Sequence, residues 1–441
     1  MQHPPLHRVV SLPGAVLLGL GSILGTGVFV SIGVAAGVAG NATLLAVVLA
    51  AVVATANALS SAQLAAVHPV SGGTYEYGRR FLTPSLGFAA GWTFLCAKSF
   101  SAATAAIGFA GYALRATHAD AERLKVPLAL LAVAALTIVT LLGMKRSART
   151  NAAIVAATLL SLGLFCVLGF RDAAGRAEVL WKPTFFGPGD PTDARPAVVR
   201  VLEATALLFV AYAGYARITT LGEEVRDPER TIPRAIVLTL GMGVAIYAAV
   251  AFVALASVGP GLLATAARET AAPLEVAADT FDGPLVAEVV AIGAVTAMLG
   301  VLLNLMLGLS RVAMAMGRTG DLPRTLARLN KRGAPAPAIV GVGLAIGLLA
   351  LLGDVKLTWS FSAFSVLLYY AITNLAAARL PREMRRFPAW IAWFGLVACV
   401  SLAFFVEARV WATGLALLAA GFLVRAVMGR STAGIRRNGG Q

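Results

Sequence analysis

Apolar residues in this chain run in long blocks, and the polar ones gather in the short gaps between them. Many blocks reach the roughly 20 residues that a helix needs to cross a hydrocarbon core. Period-two alternation is scarce and no low-complexity tract interrupts the pattern. It predicts an all-α integral membrane protein with twelve transmembrane helices. They fall near 12–38, 41–66, 84–113, 126–144, 151–170, 197–221, 233–258, 285–315, 337–353, 356–378, 388–406 and 409–428. With this count, 24 of the 36 Lys and Arg residues fall on the side that holds both termini, 11 fall on the other, and Lys98 lies inside a span. Cationic loops stay in the cytoplasm, so both termini are expected there, in a multi-pass protein of the plasma (inner) membrane. An odd number of spans scrambles this asymmetry.

Composition agrees. Of 441 residues, 59% are hydrophobic and 13% charged, against about 25% charged in soluble domains. The net charge of +15 is spread over short loops rather than clustered on one module, so a nucleic-acid partner is not expected. The first apolar block is far longer than a signal-peptide core, so no cleaved leader is expected. Cys96, Cys166 and Cys399 all lie inside apolar spans and read as small core residues without a disulfide. His3, His7, His68 and His118 are dispersed, so neither a metal nor another cofactor is expected. No GxxxxGK[ST] pattern is present, which argues against direct ATP drive.

The first span carries the chemistry. Residues 14–40 hold eight glycines, with Gly19, Gly21, Gly25 and Gly27 crowding the centre. Each costs roughly 1 kcal/mol relative to alanine inside a helix, and a helix that only sat in lipid would not need them. Unwound backbone at membrane depth is tolerated where it is buried or lines a cavity, so the run predicts a broken helix that exposes amides and carbonyls. Amides freed at Gly25, Thr26 and Gly27 would form a partly positive site suited to a carboxylate. A glycine face for close helix packing is the competing reading. The sixth span has Gly214 among small and aromatic residues from Phe209 to Tyr215. The longest outward connection, 171–196, separates the two. Span six thus stands where span one would if the chain were two five-span repeats, 10–171 and 197–379, followed by a helix pair, 388–428.

Several segments resemble the amino acid–polyamine–organocation (APC) transporter superfamily. GSILGTGVF (21–29) is similar to its first-helix signature. VAYAGY (210–215), followed by GEEVRDPERTIPR (222–234), resembles its sixth helix and the loop after it. Residues 310–323, closing on RTGDLP, and NKRGAP (330–335) resemble the end of its eighth helix and the loop before the ninth. Gly91, Trp92, Tyr370 and Asn374 also fit. The likeness spans about residues 10–380. It implies the leucine-transporter type of fold, two inverted repeats with discontinuous helices one and six.

The resemblance assigns Ile23, Thr26 and Gly27 to a substrate carboxylate. Carbonyls of Val210, Ala211 and Ala213 would take the ammonium, and side chains of Ile23, Phe209 and Tyr212 would wall the pocket. Ordinary packing is the other reading of those two aromatics. The acids Glu203 and Glu288 lie near the outer ends of their spans and read as interfacial. The pocket is therefore neutral and mostly apolar, which favours neutral amino acids. Some proton-coupled relatives carry a lysine in helix five, where Ala157 or Thr158 stands here. The centre of span eight, AMLGVLLN, lacks the adjacent Ser/Thr pair that suits sodium. Lys98 is then the candidate coupling group for a proton, with a structural lysine bonded to carbonyls of the broken helix, or a snorkelling one, as the alternatives. Arg217 replaces the acidic or small residue of many relatives. Glu223, Glu224, Arg226, Asp227, Glu229 and Arg230 form a charged loop that either stays solvated or pairs with Arg79 or Arg80. Residues 321–332 read as a short amphipathic helix or a plain loop.

The expected protein is not an enzyme. It is a secondary active amino acid permease working by alternating access, proton-coupled and favouring neutral substrates. An exchanger for cationic amino acids or polyamines is the alternative, and a channel-like protein or an intramembrane enzyme the more distant rivals.

Overall fold

The computed structural model describes residues 10–69, 72–117, 121–143, 148–181, 185–190, 192–219, 225–283 and 285–438. His3, His7, Arg8, His118, Lys145, Arg146, Lys182, Glu223 and Glu224 lie outside them. Within the described residues, regular structure is helical except for one bridge between Val10 and Val225.

The first expected span is a chain of three helices, α1 (Leu12–Ile23), α2 (Thr26–Phe29) and α3 (Ser31–Ala39). After it come α4 (Thr43–Val67), α5 (Thr74–Phe81), α6 (Pro84–Ala116), α7 (Ala121–Leu141), α8 (Ala148–Arg176) and α9 (Glu178–Trp181). The second half opens with α10 (Ala197–Tyr212), a 3₁₀ turn (Ala213–Tyr215) and α11 (Ala216–Thr219). It continues through α12 (Pro228–Glu269), α13 (Pro273–Ala278), α14 (Val286–Thr319), α15 (Ala336–Ala350) and α16 (Val355–Ala378). The last two helices are α17 (Ala389–Ala403) and α18 (Ala408–Asn438). Among the described residues nine helical stretches are long and apolar enough to cross a membrane, and α1, α15 and α17 are shorter apolar helices. The segment 321–332 is a loop with a 3₁₀ turn at Arg324–Ala327, not an amphipathic helix.

Alanine and glycine fill the helix contacts, which lets backbones approach closely where no hydrophobic force separates helix from lipid. The long α6 packs against α14 and α16, while α12 runs along α3, α4 and α8. Outward faces carry large bare side chains, among them Leu160 and Val167 on α8, Leu344 and Leu348 on α15, and Leu423 and Val427 on α18. Repeated at helical spacing, such an apolar exterior suits hydrocarbon and not water.

Candidate functional site

The helical ladder of span one stops at Leu24, whose N–H still reaches Leu20 at 2.7 Å. The next N–H groups with backbone partners are those of Val28 and Phe29, both on the Gly25 carbonyl at 3.0 and 3.1 Å. Between them the amides of Gly25, Thr26 and Gly27 find no backbone partner among the described residues, and no side chain caps the start of α2. The Thr26 hydroxyl is buried there without a hydrogen bond. Three amides and one hydroxyl, all shielded from water, form a concentrated set of donors awaiting an acceptor. A further bend at Val30, absent from the sequence-based expectation, separates α2 from α3.

Span six breaks differently. Its α10 tightens into the 3₁₀ turn without opening, and the Ala213 N–H bonds the Val210 carbonyl. The Ala211 carbonyl accepts from the Tyr247 hydroxyl at 3.1 Å, and the Ala213 carbonyl from the Tyr370 hydroxyl at 3.1 Å. All three expected ammonium ligands therefore have a donor within the protein, although each carbonyl keeps a second lone pair.

Two glycines bring the breaks together. A Cβ on Gly27 would stand 2.8 Å from the Ala211 Cβ and 2.9 Å from its Cα. A Cβ on Gly214 would stand 2.4 Å from the Ser22 carbonyl oxygen. Only a residue without a side chain permits either approach, so Gly27 and Gly214 pack the two broken segments together. Ile23, Thr26, Gly27, Phe209, Val210, Ala211, Tyr212 and Ala213 are all buried around this junction. The Phe209 ring meets Tyr370 edge-on at 5.5 Å, and Tyr212 meets Tyr247 at 4.9 Å.

Surrounding helices hold the broken pieces by side-chain hydrogen bonds to their backbone. Asn151 on α8 donates to the Leu17 carbonyl at 3.0 Å, and Tyr112 on α6 to that of Phe29 at 2.7 Å. Trp359 on α16 donates to the Leu207 carbonyl at 2.8 Å. Ser31 donates back to Gly27.

Lys98 is half-buried within α6, the helix that touches α2. Its amine makes no hydrogen bond or ion pair with described residues, so it is not bonded to carbonyls of the broken helix. Glu203 is fully buried, and Arg195 holds it at 2.6 Å. Glu288 is exposed. On the other side of the molecule, Arg79 pairs with Asp321 at 2.9 Å. Arg425 takes the second oxygen of Asp321 at 2.9 Å, and the Tyr75 hydroxyl donates to it at 2.8 Å. Burial pushes the Tyr75 phenol up to about 12. In the charged loop, Glu229 pairs with Arg386 at 3.3 Å.

Sequence reasoning missed Tyr247 and Tyr370 as neighbours of the site. All eight tyrosines of the chain are buried. A phenol buried in an apolar helix usually finds an acceptor, and carbonyls at a helix break are among the acceptors on offer.

Comparison with known proteins gives the same direction. A sequence model described as amino acid permease matches residues 14–433. An uncharacterised transporter of Mycobacterium tuberculosis is 43% identical over 418 residues, covering 94% of this chain and 90% of that protein. A branched-chain amino acid permease of Bacillus subtilis is 28% identical, covering 74% of this chain and 70% of its own. A vacuolar cationic amino acid transporter of Arabidopsis thaliana is 27% identical, covering 87% of this chain and 62% of its own.

Proposed function

The chain belongs to the amino acid permease family, and on that premise we propose that it is a secondary carrier that moves neutral amino acids by alternating access at the paired helix breaks. It is a membrane transporter, not an enzyme. The observation that carries the site is the cluster of unpartnered donors at Gly25, Thr26 and Gly27, with Gly27 packed against Ala211 of the second break. A substrate carboxylate answers the first group and its ammonium the second. Ile23, Phe209, Val210 and Tyr212 complete the walls.

Backbone recognition reads the amino and acid groups common to all α-amino acids, so selectivity rests with side chains. Glu203 is committed to Arg195, which leaves the junction apolar and supports neutral over cationic substrates. The branched-chain relative supports the same choice. The cationic relative supports the alternative, an exchanger for cationic amino acids.

In this proposal twelve spans form two inverted repeats, both termini face the cytoplasm of a cell bounded by the plasma membrane, and spans one, two, six and seven rock against the rest. The coupling ion is a proton and Lys98, an amine without a counter-charge inside a span, is the group that carries it. Thermal unfolding of the purified protein against the twenty amino acids and common polyamines tests the site, because a ligand that binds only the folded state raises its stability. Neutral amino acids should raise the midpoint. A response to amines alone, with none to amino acids, refutes it. Equal pH dependence of uptake by Lys98→Ala and the wild type refutes the role of Lys98.

A further inference from the structure

Tyr247 lies on α12, and its hydroxyl reaches both broken helices. The oxygen is 2.7 Å from the Ile23 carbonyl oxygen and 3.1 Å from that of Ala211. It also abuts the donor side, since a Cβ on Gly27 would stand 2.6 Å from it. Tyr247 is 1% exposed, with its ring held against Tyr212. The hydroxyl thus lies between the two breaks, within reach of the Ala211 carbonyl, one of those proposed for a substrate ammonium.

Buried carbonyls resist closure of a site around them unless a donor meets them. A carrier whose only such donor is its substrate closes when loaded and stalls when unloaded, and it therefore exchanges one substrate for another. A carrier with a donor of its own can close in both conditions. We propose that Tyr247 is an internal surrogate for the substrate's amino group. It serves Ala211 whenever no ammonium does, so the unloaded carrier closes, reorients and sustains net transport.

The chemistry makes the surrogate displaceable. A phenol has one hydrogen and serves one carbonyl at a time, whereas an ammonium has three and a charge. Substrate therefore wins the carbonyls, and the tyrosine regains them on release. Tyr370 gives the Ala213 carbonyl a donor too, but it bonds span six alone. The Tyr247 hydroxyl stands within hydrogen-bond reach of both broken helices.

The inference rests on the amino-acid reading of the junction, and one experiment separates the two. The full-length protein is placed in liposomes loaded with a radiolabelled mixture of the protein amino acids. Efflux is followed into buffer without amino acids and into buffer that contains them. The wild type should release label into both, and the ratio of net efflux to exchange should fall about tenfold in Tyr247→Phe, the scale of one lost hydrogen bond. Wild-type efflux only into amino-acid buffer overturns the inference and leaves the site standing. An unchanged ratio in Tyr247→Phe also overturns it. No efflux under either condition removes the amino-acid reading, and the inference with it. The wild-type comparison decides even if the variant fails to insert.

Discussion

Spans one and six are both interrupted, yet the two interruptions have opposite character. The first opens: Leu24 and Gly25 are extended, and the following amides lack partners. The second tightens into a 3₁₀ turn, and tyrosines on α12 and α16 bond its carbonyls. One break is a set of donors left waiting, and the other is a set of acceptors already served. On the proposed reading a carboxylate would enter a prepared site, while an ammonium would compete for its place. Binding should follow the acid group closely and tolerate variation around the amine.

The contrast can be broken outright by forcing the breaks apart. Gly214→Ala drives a methyl group into the Ser22 carbonyl, an overpacking that costs roughly 3 kcal/mol or more where backbone must move. Uptake into liposomes should be lost, and the midpoint of thermal unfolding should drop. A smaller change tests the served side. Tyr370→Phe leaves the Ala213 carbonyl buried without its donor, a cost of about 1–3 kcal/mol visible in thermal unfolding.

The waiting side should behave in the opposite way. Thr26 makes no hydrogen bond through its hydroxyl, so Thr26→Val has no internal bond to lose. Stability should hold or rise, while amino acid affinity should weaken by up to about tenfold, measured by ligand-induced thermal shift. A variant that loses stability and keeps affinity would make Thr26 a packing residue.

The subtlest test concerns the outer half of span one. There Pro273 on α13 presses on Gly33 of α3, and Glu275 on the same short helix is buried. Burial pushes the Glu275 carboxyl up to about 8 against the pull of Arg115, with Asp279 and Glu288 adding to the rise. Arg115 lies 3.7 Å from it and also holds Asp279. An acid whose folded value is raised favours folding fully below its unfolded value of about 4.3 and loses that contribution as pH climbs through the folded one. Thermal stability should therefore decline between about pH 4.3 and 8, and Glu275→Gln should flatten that slope.

Much of this was legible in the residues. Eight glycines in one apolar stretch have no purpose in lipid, and they announced the first break. Gly214 announced the second, but a single glycine could not show that the turn would tighten rather than open. Tyr247 was hidden because its acceptor, Ile23, is 224 positions away, and hydrophobic patterning carries no pairing information over that distance. The same limit hid Asp321. Its partners Arg79 and Arg425 come from distant parts of the chain, and charge alone offered several equal matches. Nothing in span six revealed that Arg195 would fold back over Glu203.

The bridge between Val10 and Val225 also has a practical side. The Arg226 N–H donates to the Val10 carbonyl at 2.9 Å, which staples the lead-in of the first broken helix to the exit of the second. A bulky reporter fused just before residue 10 would pry at this staple and tug on both halves of the machine at once. A reporter carried beyond α18 hangs from a helix that takes no part in it. Fluorescent fusions and affinity handles belong at that end, and a cysteine pair at the staple would show in a single gel whether it must open during turnover.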